Sequence, residues 1–223
     1  MIVSKQKPLK EILELLEGYR NIFLVGCGEC ATTCKSGGKD EVLAMQKALE
    51  EHGKKVAGSS VPEAPCIAAQ VKTEFAKNIK PLREAEAVLV LSCGLGAQSV
   101  KDNDRLGLAV LPGCDTLFGA VTDAQGNFYE KCSMCAECVL GITLGICPVT
   151  LCSKGLLNGP CGGMNKGKCE VDKDRDCAWV LIYQELQKRN KLGKIKVIQP
   201  PRDFKNSLRP RKMAAPPAAG RLG

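Results

Sequence analysis

The segment NIFLVGCGECATTC, residues 21–34, joins an apolar run to a loop that carries three cysteines. Residues 21–27 have the length and composition of a buried β-strand. Cys27, Cys30 and Cys34 then share eight positions with glycines and small residues. Such a loop is compatible with three kinds of site. They are a disulfide, a nucleotide-binding loop and a metal site.

The cysteine content favours the metal site over a disulfide. The chain has 223 residues, with 14 cysteines and one histidine. No apolar stretch is long enough for a signal peptide or a membrane span, so we expect a cytoplasmic protein. Thiols in that compartment are normally reduced. Cysteines at C-x2-C spacing in such a protein are typical metal ligands.

Apolar runs alternate with helical patterns around this segment. Strands that are apolar on both faces and alternate with helices predict a parallel sheet covered by helices. We therefore predict the α/β class, with a four-stranded parallel Rossmann- or flavodoxin-like sheet in a first domain, residues 1–115. The predicted order is helix 9–16 closed by Gly18, strand 21–27, helix 39–53, strand 54–61, helix 66–79, strand 86–93 and strand 106–114.

Six cysteines follow or close the predicted strands. The carboxyl ends of parallel strands meet at one edge of a sheet, which is where open α/β sheets bind ligands. We expect these cysteines to converge there and to hold one 4Fe-4S cluster. The six are Cys27, Cys30, Cys34, Cys66, Cys93 and Cys114. A cluster needs four ligands, and we expect Cys30, Cys34, Cys93 and Cys114, with Cys27 and Cys66 as supporting thiols.

The glycines in these loops raise the nucleotide alternative. Residues 26–31, GCGECA, fit the dinucleotide pattern G-x-G-x-x-A. The pattern also needs an acidic residue at the end of the second strand, and VAGSSV, residues 56–61, has none. Glycine also lets backbone N–H groups approach cluster sulfur. We assign that role to Gly26, Gly28, Gly94 and Gly96.

The character of the chain changes after residue 115. The pattern of residues 117–132 predicts a hairpin whose turn is DAQGN. Eight cysteines then lie within the 46 residues from Cys132 to Cys177. This stretch has too little apolar mass to fold on its own core, so metal must supply stability. We predict a second, Cys-rich ferredoxin-like domain over residues 116–187. Its cysteines are Cys132, Cys135, Cys138, Cys147, Cys152, Cys161, Cys169 and Cys177.

The spacing in this domain favours iron and sulfide over zinc. Cys132, Cys135 and Cys138 form C-x2-C-x2-C, and Cys147 precedes Pro148 as the last cysteine of a ferredoxin run does. Eight residues separate Cys138 from Cys147, whereas the ferredoxin pattern has three. The fourth ligand of the triplet therefore stays open, and the eight cysteines suffice for two sites. Zinc, the alternative, would need an all-cysteine tetrahedral site.

The net charge of +8 lies in the tail, residues 188–223. The tail has eleven basic residues and one acidic residue, whereas the preceding part has 21 basic and 23 acidic residues. The body therefore has no excess of basic residues for nucleic acid. The tail is rich in proline and poor in apolar residues. This composition predicts an extended or disordered arm, which we expect to lie on a partner subunit.

Four motifs carry a resemblance to a known family. They are GCGECATTCKSGG (26–38), SCGLGAQ (92–98), LPGCDTLFGA (111–120) and a long Cys-rich motif that begins CAECVLGITLGICP (135–148). Together they resemble the iron-sulfur small subunit of acetogen-type methylenetetrahydrofolate reductase, a family also described as the C-terminal module of that enzyme. The resemblance covers about residues 20–185.

The resemblance implies a partner and a role. The partner is a flavin-bearing TIM-barrel subunit that reduces 5,10-methylenetetrahydrofolate to 5-methyltetrahydrofolate in the reductive acetyl-CoA (Wood-Ljungdahl) pathway. This chain would pass electrons to that flavin from ferredoxin or further redox subunits. With His52 as its one histidine, the chain has little acid-base machinery of its own. The alternatives are a zinc-binding scaffold subunit without electron transfer and a corrinoid-handling iron-sulfur protein.

Overall fold

The computed structural model describes residues 1–214 and contains two compact units. The first unit is Met1–Tyr129, and the second begins at Glu130. The division predicted at residues 115/116 and 187/188 stays a prediction. The first unit contains β1 (Ile2–Gln6), α1 (Leu9–Leu15), β2 (Asn21–Val25), α2 (Cys30–Thr33), α3 (Lys39–Glu51), β3 (Lys55–Ser60), α4 (Ala68–Lys77), α5 (Ile79–Glu84), β4 (Ala87–Val90), α6 (Gly94–Asn103), β5 (Ala109–Pro112), β6 (Cys114–Thr122) and β7 (Phe128–Glu130), whose last residue opens the second unit.

Four strands form the predicted parallel sheet, in the order β3-β2-β4-β5. Ile22 of β2 pairs with Val56 of β3 on one side and with Ala87 of β4 on the other. Numbered within the sheet, the order is 2-1-3-4, as in flavodoxin-like folds. The α/β class and the four-stranded parallel sheet are therefore confirmed.

The two faces of this sheet bury separate apolar clusters. Leu24 packs with residues of α1 and α3 on one face, whereas Phe23 packs with residues of α4, α5 and α6 on the other. Neighbouring strand residues point to opposite faces, so the continuous apolar run of β2 serves both clusters. All four residues of β4 are buried for the same reason.

A second, antiparallel sheet has the order β1-β6-β7. Its strand β1 was not predicted, because five residues at the start of the chain carry too short a pattern. Ile2 pairs with Gly119, and Gln6 pairs with Cys114. The predicted strand 106–114 is wrong at its end, since β5 stops at Pro112 and Cys114 begins β6.

The predicted hairpin is confirmed. Its strands β6 and β7 are neighbours in the antiparallel sheet. The turn is closed by Asp123, whose N–H donates to the Asn127 carbonyl (3.1 Å) and whose Oδ1 accepts the Asn127 N–H (2.9 Å). These bonds hold the carboxylate in its charged form, because the side chain and backbone of Asn127 lower the Asp123 pKa to about 2.

The second unit has a small core built on one helix. Its elements are α7 (Leu140–Thr143), α8 (Pro148–Leu151), α9 (Ala178–Lys188) and two 3-10 segments, Leu192–Lys196 and Phe204–Ser207. Trp179, Ile182 and Leu186 of α9 are buried and lie on one side of the helix. Within residues 1–214, no helix combines the length and apolar character needed to cross a membrane.

Part of the basic tail lies against its own chain. The Gln199 N–H donates to Oδ1 of Asn158 (2.7 Å), and Nδ2 of Asn158 donates to the Gln199 carbonyl (3.0 Å). Arg202 and Arg211 donate to carbonyl oxygens of the 134–137 loop. Up to Arg211 the predicted arm is thus held within the second unit, while residues 215–223 lie outside the described residues. Docking of the tail on a partner stays a prediction.

Candidate metal and cofactor sites

Five of the six predicted cysteines meet at the carboxyl edge of the parallel sheet. Burial raises the pKa of Cys27, and the nearby charges of Cys30 and Cys93 raise it further. Burial also raises the pKa of Cys114 to about 12, with smaller contributions from the charges of Cys93 and Cys34. These mutual interactions link the five sulfurs into one group, as the strand order predicted.

Strand β1 brings backbone groups to this thiol group. The Ile2 N–H donates to Sγ of Cys30 (3.5 Å), and Sγ of Cys34 donates to the Ile2 carbonyl (3.8 Å). Sγ of Cys114 donates to the Ser36 carbonyl (3.3 Å). Sequence reasoning missed Ile2, and the only signal for it was the short apolar pattern of residues 2–3.

Cys66 stands outside this group. Its side chain is exposed on the segment before α4. In the described part of the chain it takes no part in the interactions that link the other five cysteines. The predicted convergence therefore holds for five cysteines, and a supporting role for Cys66 stays a prediction.

The loop glycines are in close contact with neighbouring main chain. The N–H groups of Gly26, Gly28 and Gly94 donate to oxygens, namely the Ser60 carbonyl (2.8 Å), the Pro62 carbonyl (2.9 Å) and Oγ1 of Thr116 (2.7 Å). A Cβ on Gly26 would lie 2.6 Å from the Gly37 carbonyl oxygen, and one on Gly96 would lie 2.4 Å from Oγ of Ser92. The close approach of the Gly37 carbonyl therefore requires glycine at position 26, and the Ser92 side chain leaves no room for a Cβ at position 96 of α6. The role beside sulfur stays a prediction.

The Cys132–Cys138 loop of the second unit has a backbone suited to sulfur ligands. Met134 and Ala136 have left-handed conformations, with φ of 53° and 65°. The Met134 N–H donates to Sγ of Cys132 (3.4 Å). Alternating left-handed residues turn successive N–H groups toward one concave side, an arrangement that binds anions and iron-sulfur groups.

Arg202 of the tail is buried against this loop. Its side chain is 9% exposed, and Nη2 donates to the carbonyls of Cys135 (3.3 Å) and Glu137 (2.9 Å). Among residues 1–214, its buried Nη1 has no hydrogen-bond partner. Such a donor is costly unless an acceptor lies beside it. A thiolate-bound anionic cluster supplies such an acceptor, so the residues at this loop fit one.

The environment of Cys135 favours its ligating form. Burial acts to raise the pKa of Cys135, but hydrogen bonding with the Glu137 backbone and the Ser133 hydroxyl and the nearby Arg202 guanidinium together lower it. The thiolate is the form that binds metal. The Glu137 backbone, the Ser133 hydroxyl and Arg202 thus favour the thiolate form of Cys135.

Cys147 is connected to the same loop through Thr150. Sγ of Cys147 donates to Oγ1 of Thr150 (3.7 Å), and that oxygen also accepts the Ser133 N–H (3.0 Å). The gap of eight residues after Cys138 is taken up by the turn of α7 and the residues around it. The structure thus links Cys147 to the Ser133 backbone of the triplet loop through Thr150, a connection that the spacing alone left open.

The remaining four cysteines line a different cavity. It is closed on one side by Trp179, which is 4% exposed and donates its Nε1–H to the Leu156 carbonyl (2.8 Å). The four cysteines are Cys152, Cys161, Cys169 and Cys177. Four of the eight cysteines of the second unit therefore line one cavity, and Cys147 is linked to the Cys132–Cys138 loop through Thr150.

Sulfur positions alone do not define a ligand shell. Among residues 1–214, no group of three or more histidine, cysteine, aspartate or glutamate side chains has the spacing of a metal site. None of the 14 cysteines, all of which lie within residues 1–214, forms a disulfide. The predicted ligand sets for 4Fe-4S clusters or zinc stay predictions, supported by the grouping of the sulfurs and by their polar neighbours.

Comparison with known proteins gives one match. No curated protein and no solved structure matches the chain. The matching segment begins within β5, ends in the second 3-10 segment and contains all eight cysteines of the second unit together with Cys114 and Arg202. Residues 111–205 match the model of the protein family described as methylene-tetrahydrofolate reductase C terminal.

Proposed function

We propose that this chain is the iron-sulfur, electron-transfer subunit of a methylenetetrahydrofolate reductase complex. It would pass electrons to the flavin of a TIM-barrel partner that reduces 5,10-methylenetetrahydrofolate. The observation that carries the proposal is the Cys132–Cys138 loop, to which Thr150 links Cys147 and beside which Arg202 Nη1 has no hydrogen-bond partner among residues 1–214. All of these residues lie in the segment that matches the reductase family.

In the second unit, Cys132, Cys135, Cys138 and Cys147 would hold a 4Fe-4S cluster. Such a cluster supplies one-electron transfer, at a potential set by its charge, its burial and the hydrogen bonds to its sulfurs. The chain supplies the N–H of Met134 and the guanidinium of Arg202 for those hydrogen bonds. Buried, positively charged donors stabilise the reduced cluster, because it is more negative than the oxidised one.

In the first unit, we propose a second cluster at the carboxyl edge of the parallel sheet. Its ligands would be Cys30, Cys34, Cys93 and Cys114, with Cys27 as a supporting thiol. The interactions among these five sulfurs support the grouping, and the Ile2 N–H already donates to Cys30. Thiolates in this position would bind iron in place of protons, which offsets the cost of burying their charge.

The partners follow from the family match and the resemblance. Electrons would enter from ferredoxin or from a further redox subunit and leave to the flavin of the catalytic subunit. Zinc bound as a scaffold is the second candidate function, and the four-cysteine cavity at Trp179 favours it for part of the second unit.

Metal analysis of the anaerobically purified protein tests the proposal. We expect about eight irons and a similar amount of sulfide per chain, with visible bands that bleach with dithionite. Rapid mixing of the reduced protein with its flavin partner should then reduce the flavin. A colourless protein that contains zinc and no sulfide would contradict the proposal, since zinc-thiolate sites carry no electrons.

Substitution of Arg202 tests its electrostatic role. Arg202→Gln removes the positive charge and leaves the two loop carbonyls with a weaker donor, so the potential of the nearby cluster should fall by about 60 mV. That shift corresponds to about 1.4 kcal/mol for a one-electron couple, the size of one charged hydrogen bond. EPR-monitored redox titration measures it. Arg189→Gln is the control, because Arg189 is exposed and pairs with Glu185 on α9; equal potentials in both variants would contradict the role of Arg202.

A further inference from the structure

We infer that a cavity at the ends of α4 and α6 in the first unit binds a small anionic ligand with an apolar body, a carboxylate or a phosphate ester on a hydrocarbon. The cavity lies between the end of α4, the helix α5 and the end of α6. Among residues 1–214, no cysteine lines it, and its lining lies outside the segment that matches the reductase family. The inference therefore does not depend on the proposed electron transfer.

The cavity is at the amino edge of the parallel sheet. Helices that connect parallel strands run back from the carboxyl edge to the amino edge, so their last residues lie at the amino edge. Lys72 and Phe75 are in the second half of α4, and Asn103 is the last residue of α6. The helix α6 begins directly after Cys93, at the edge where the thiol group lies. The cavity and the candidate cluster site are thus at opposite edges of the sheet, and each can be tested without the other.

The wall of the cavity is mainly apolar. Leu82 is fully buried in the cluster that contains Phe23, and Phe75 is partly buried against the same cluster. Ile79 and Leu106 are 38% and 39% exposed at the opening. With a volume of about 430 Å³, the cavity has the size and the lining of small-molecule sites, which are concave and mostly apolar. A ligand with an apolar body would remove Ile79 and Leu106 from water, which favours binding.

Two basic side chains also line the cavity. Among residues 1–214, Lys72 and Arg105 form no ion pair, whereas the nearby Lys77 pairs with Glu74 (2.8 Å). No acidic residue of the described chain lines the cavity. An anion would therefore meet two cations without a competing carboxylate. A guanidinium binds a carboxylate or a phosphate through two parallel hydrogen bonds.

The walls are held in place by hydrogen bonds from side chains. In the loop after α6, Oδ1 of Asp104 accepts the Leu106 N–H (2.9 Å) and Oδ2 accepts the Leu108 N–H (2.7 Å). Between α4 and α5, the N–H and Nδ2 of Asn78 both donate to the Glu74 carbonyl (3.0 and 2.9 Å). The site is thus formed before a ligand arrives, and a preformed site loses less conformational freedom on binding.

The small exposed apolar area favours a small molecule over a protein partner. Of the large hydrophobic residues that are exposed within residues 1–214, Ile79 and Leu106 line the cavity. A stable protein interface buries about 800 Å² on each partner. Two side chains supply much less than that, whereas one ligand with an acid group can occupy the cavity and contact both cations.

The test uses the full-length protein and anilinonaphthalenesulfonate, a fluorescent anion with an apolar body. The dye should bind with increased fluorescence at about one site per chain. Arg105→Gln and Lys72→Gln should each weaken this binding about tenfold, the effect of losing one charged hydrogen bond. Lys47→Gln is the matched control, because it removes the same charge from an exposed position of α3, on the other face of the sheet. Equal affinities of Arg105→Gln and Lys47→Gln would overturn the inference.

A variant that fills the cavity tests the apolar part of the site. Ala76 lines the cavity and is exposed, so Ala76→Phe adds a ring there without disturbing buried residues. It should abolish dye binding, with an unchanged net charge, melting temperature and iron content. Neutral phenylnaphthylamine, which has the same rings without the acid group, should bind at least about tenfold more weakly than the dye. Dye binding that survives Ala76→Phe, or equal binding of the neutral compound, would overturn the inference.

Competition against the bound dye identifies the acid group. Decanoate and decyl phosphate should displace it, and the compound that acts at the lower concentration shows whether a carboxylate or a phosphate is preferred. Displacement by neither would contradict the site. An Ala76→Phe variant that binds the dye normally but loses affinity for the flavin partner would assign the cavity to a protein contact, which would also overturn the inference. None of these measurements depends on iron, so a failure of the proposed electron transfer would leave them unchanged.

Discussion

Cys135→Ser is expected to lose one cluster, about four irons and their sulfide per chain, and with it most electron transfer to the partner flavin. Cys135 is the middle thiol of the triplet, and its pKa is lowered by the Glu137 backbone, the Ser133 hydroxyl and Arg202 in spite of burial. Serine oxygen is a poor replacement for a soft thiolate ligand of iron. The Arg202 guanidinium would also be left facing a site without its anion. Iron and sulfide assays and the amplitude of the dithionite-bleached bands measure the loss.

The controls separate loss of a ligand from loss of fold. Cys66→Ser changes an exposed thiol and should keep all the iron. Iron content equal to that of the wild type would contradict a cluster at the triplet.

Gly37→Ala is expected to destabilise the first unit by about 3 kcal/mol or to prevent its folding. A Cβ at this position would lie 1.8 Å from the carbonyl oxygen of Leu91 and 2.6 Å from its carbonyl carbon. Both are backbone atoms on the segment that follows β4, so no side-chain rotation can relieve the overlap. Overpacking of this kind costs 1–3 kcal/mol, and more where backbone must move, so about 3 kcal/mol is expected here. Urea unfolding followed by circular dichroism measures the change.

The same substitution should also disturb the candidate cluster site. The Gly37 carbonyl accepts the Cys27 N–H (2.8 Å), and the residues before it lead to Cys34. Gly94→Ala is the matched control at the same edge, because its added Cβ would meet only Oγ1 of Thr116 at 3.4 Å, an ordinary contact. The free energy of unfolding of Gly94→Ala should lie within about 0.5 kcal/mol of the wild-type value, the usual range for a substitution that causes no clash. Equal stability of the two variants would contradict the close contact between the two loops.

Local sequence patterns were enough to predict the parallel sheet and the group of cysteine sulfurs at its carboxyl edge. The apolar runs at residues 21–27 and 86–93 predict strands buried on both faces, and β2 and β4 have that burial. Parallel strands place their carboxyl ends at one edge, so the meeting of Cys27 and Cys93 followed from chain order alone. The strands themselves depend on neighbours within a few residues of each other, where periodicity and composition carry the information.

No comparable sequence pattern predicts the contacts between distant segments of the chain. The pairing of β1 with β6 brings Ile2 to Cys30 and Cys34, although nothing in the first six residues identifies their partner. Arg202 reads as one of eleven basic residues in a polar tail, and only the folded chain places it on the Cys135 carbonyl. A tail that packs against its own chain can have the same composition as an exposed or disordered tail, so composition does not distinguish them.

The sequence by itself determined the α/β class, the carboxyl-edge cysteines and the presence of a second Cys-rich region. The tertiary structure decided which cysteines of that region stand together. Thr150 joins Cys147 to the triplet loop, and the cavity beside Trp179 collects the other four. The physical reason is that irregular loops follow no period. Their hydrogen bonds and shared cavities fix the grouping of their thiols, and those exist only once the chain has folded.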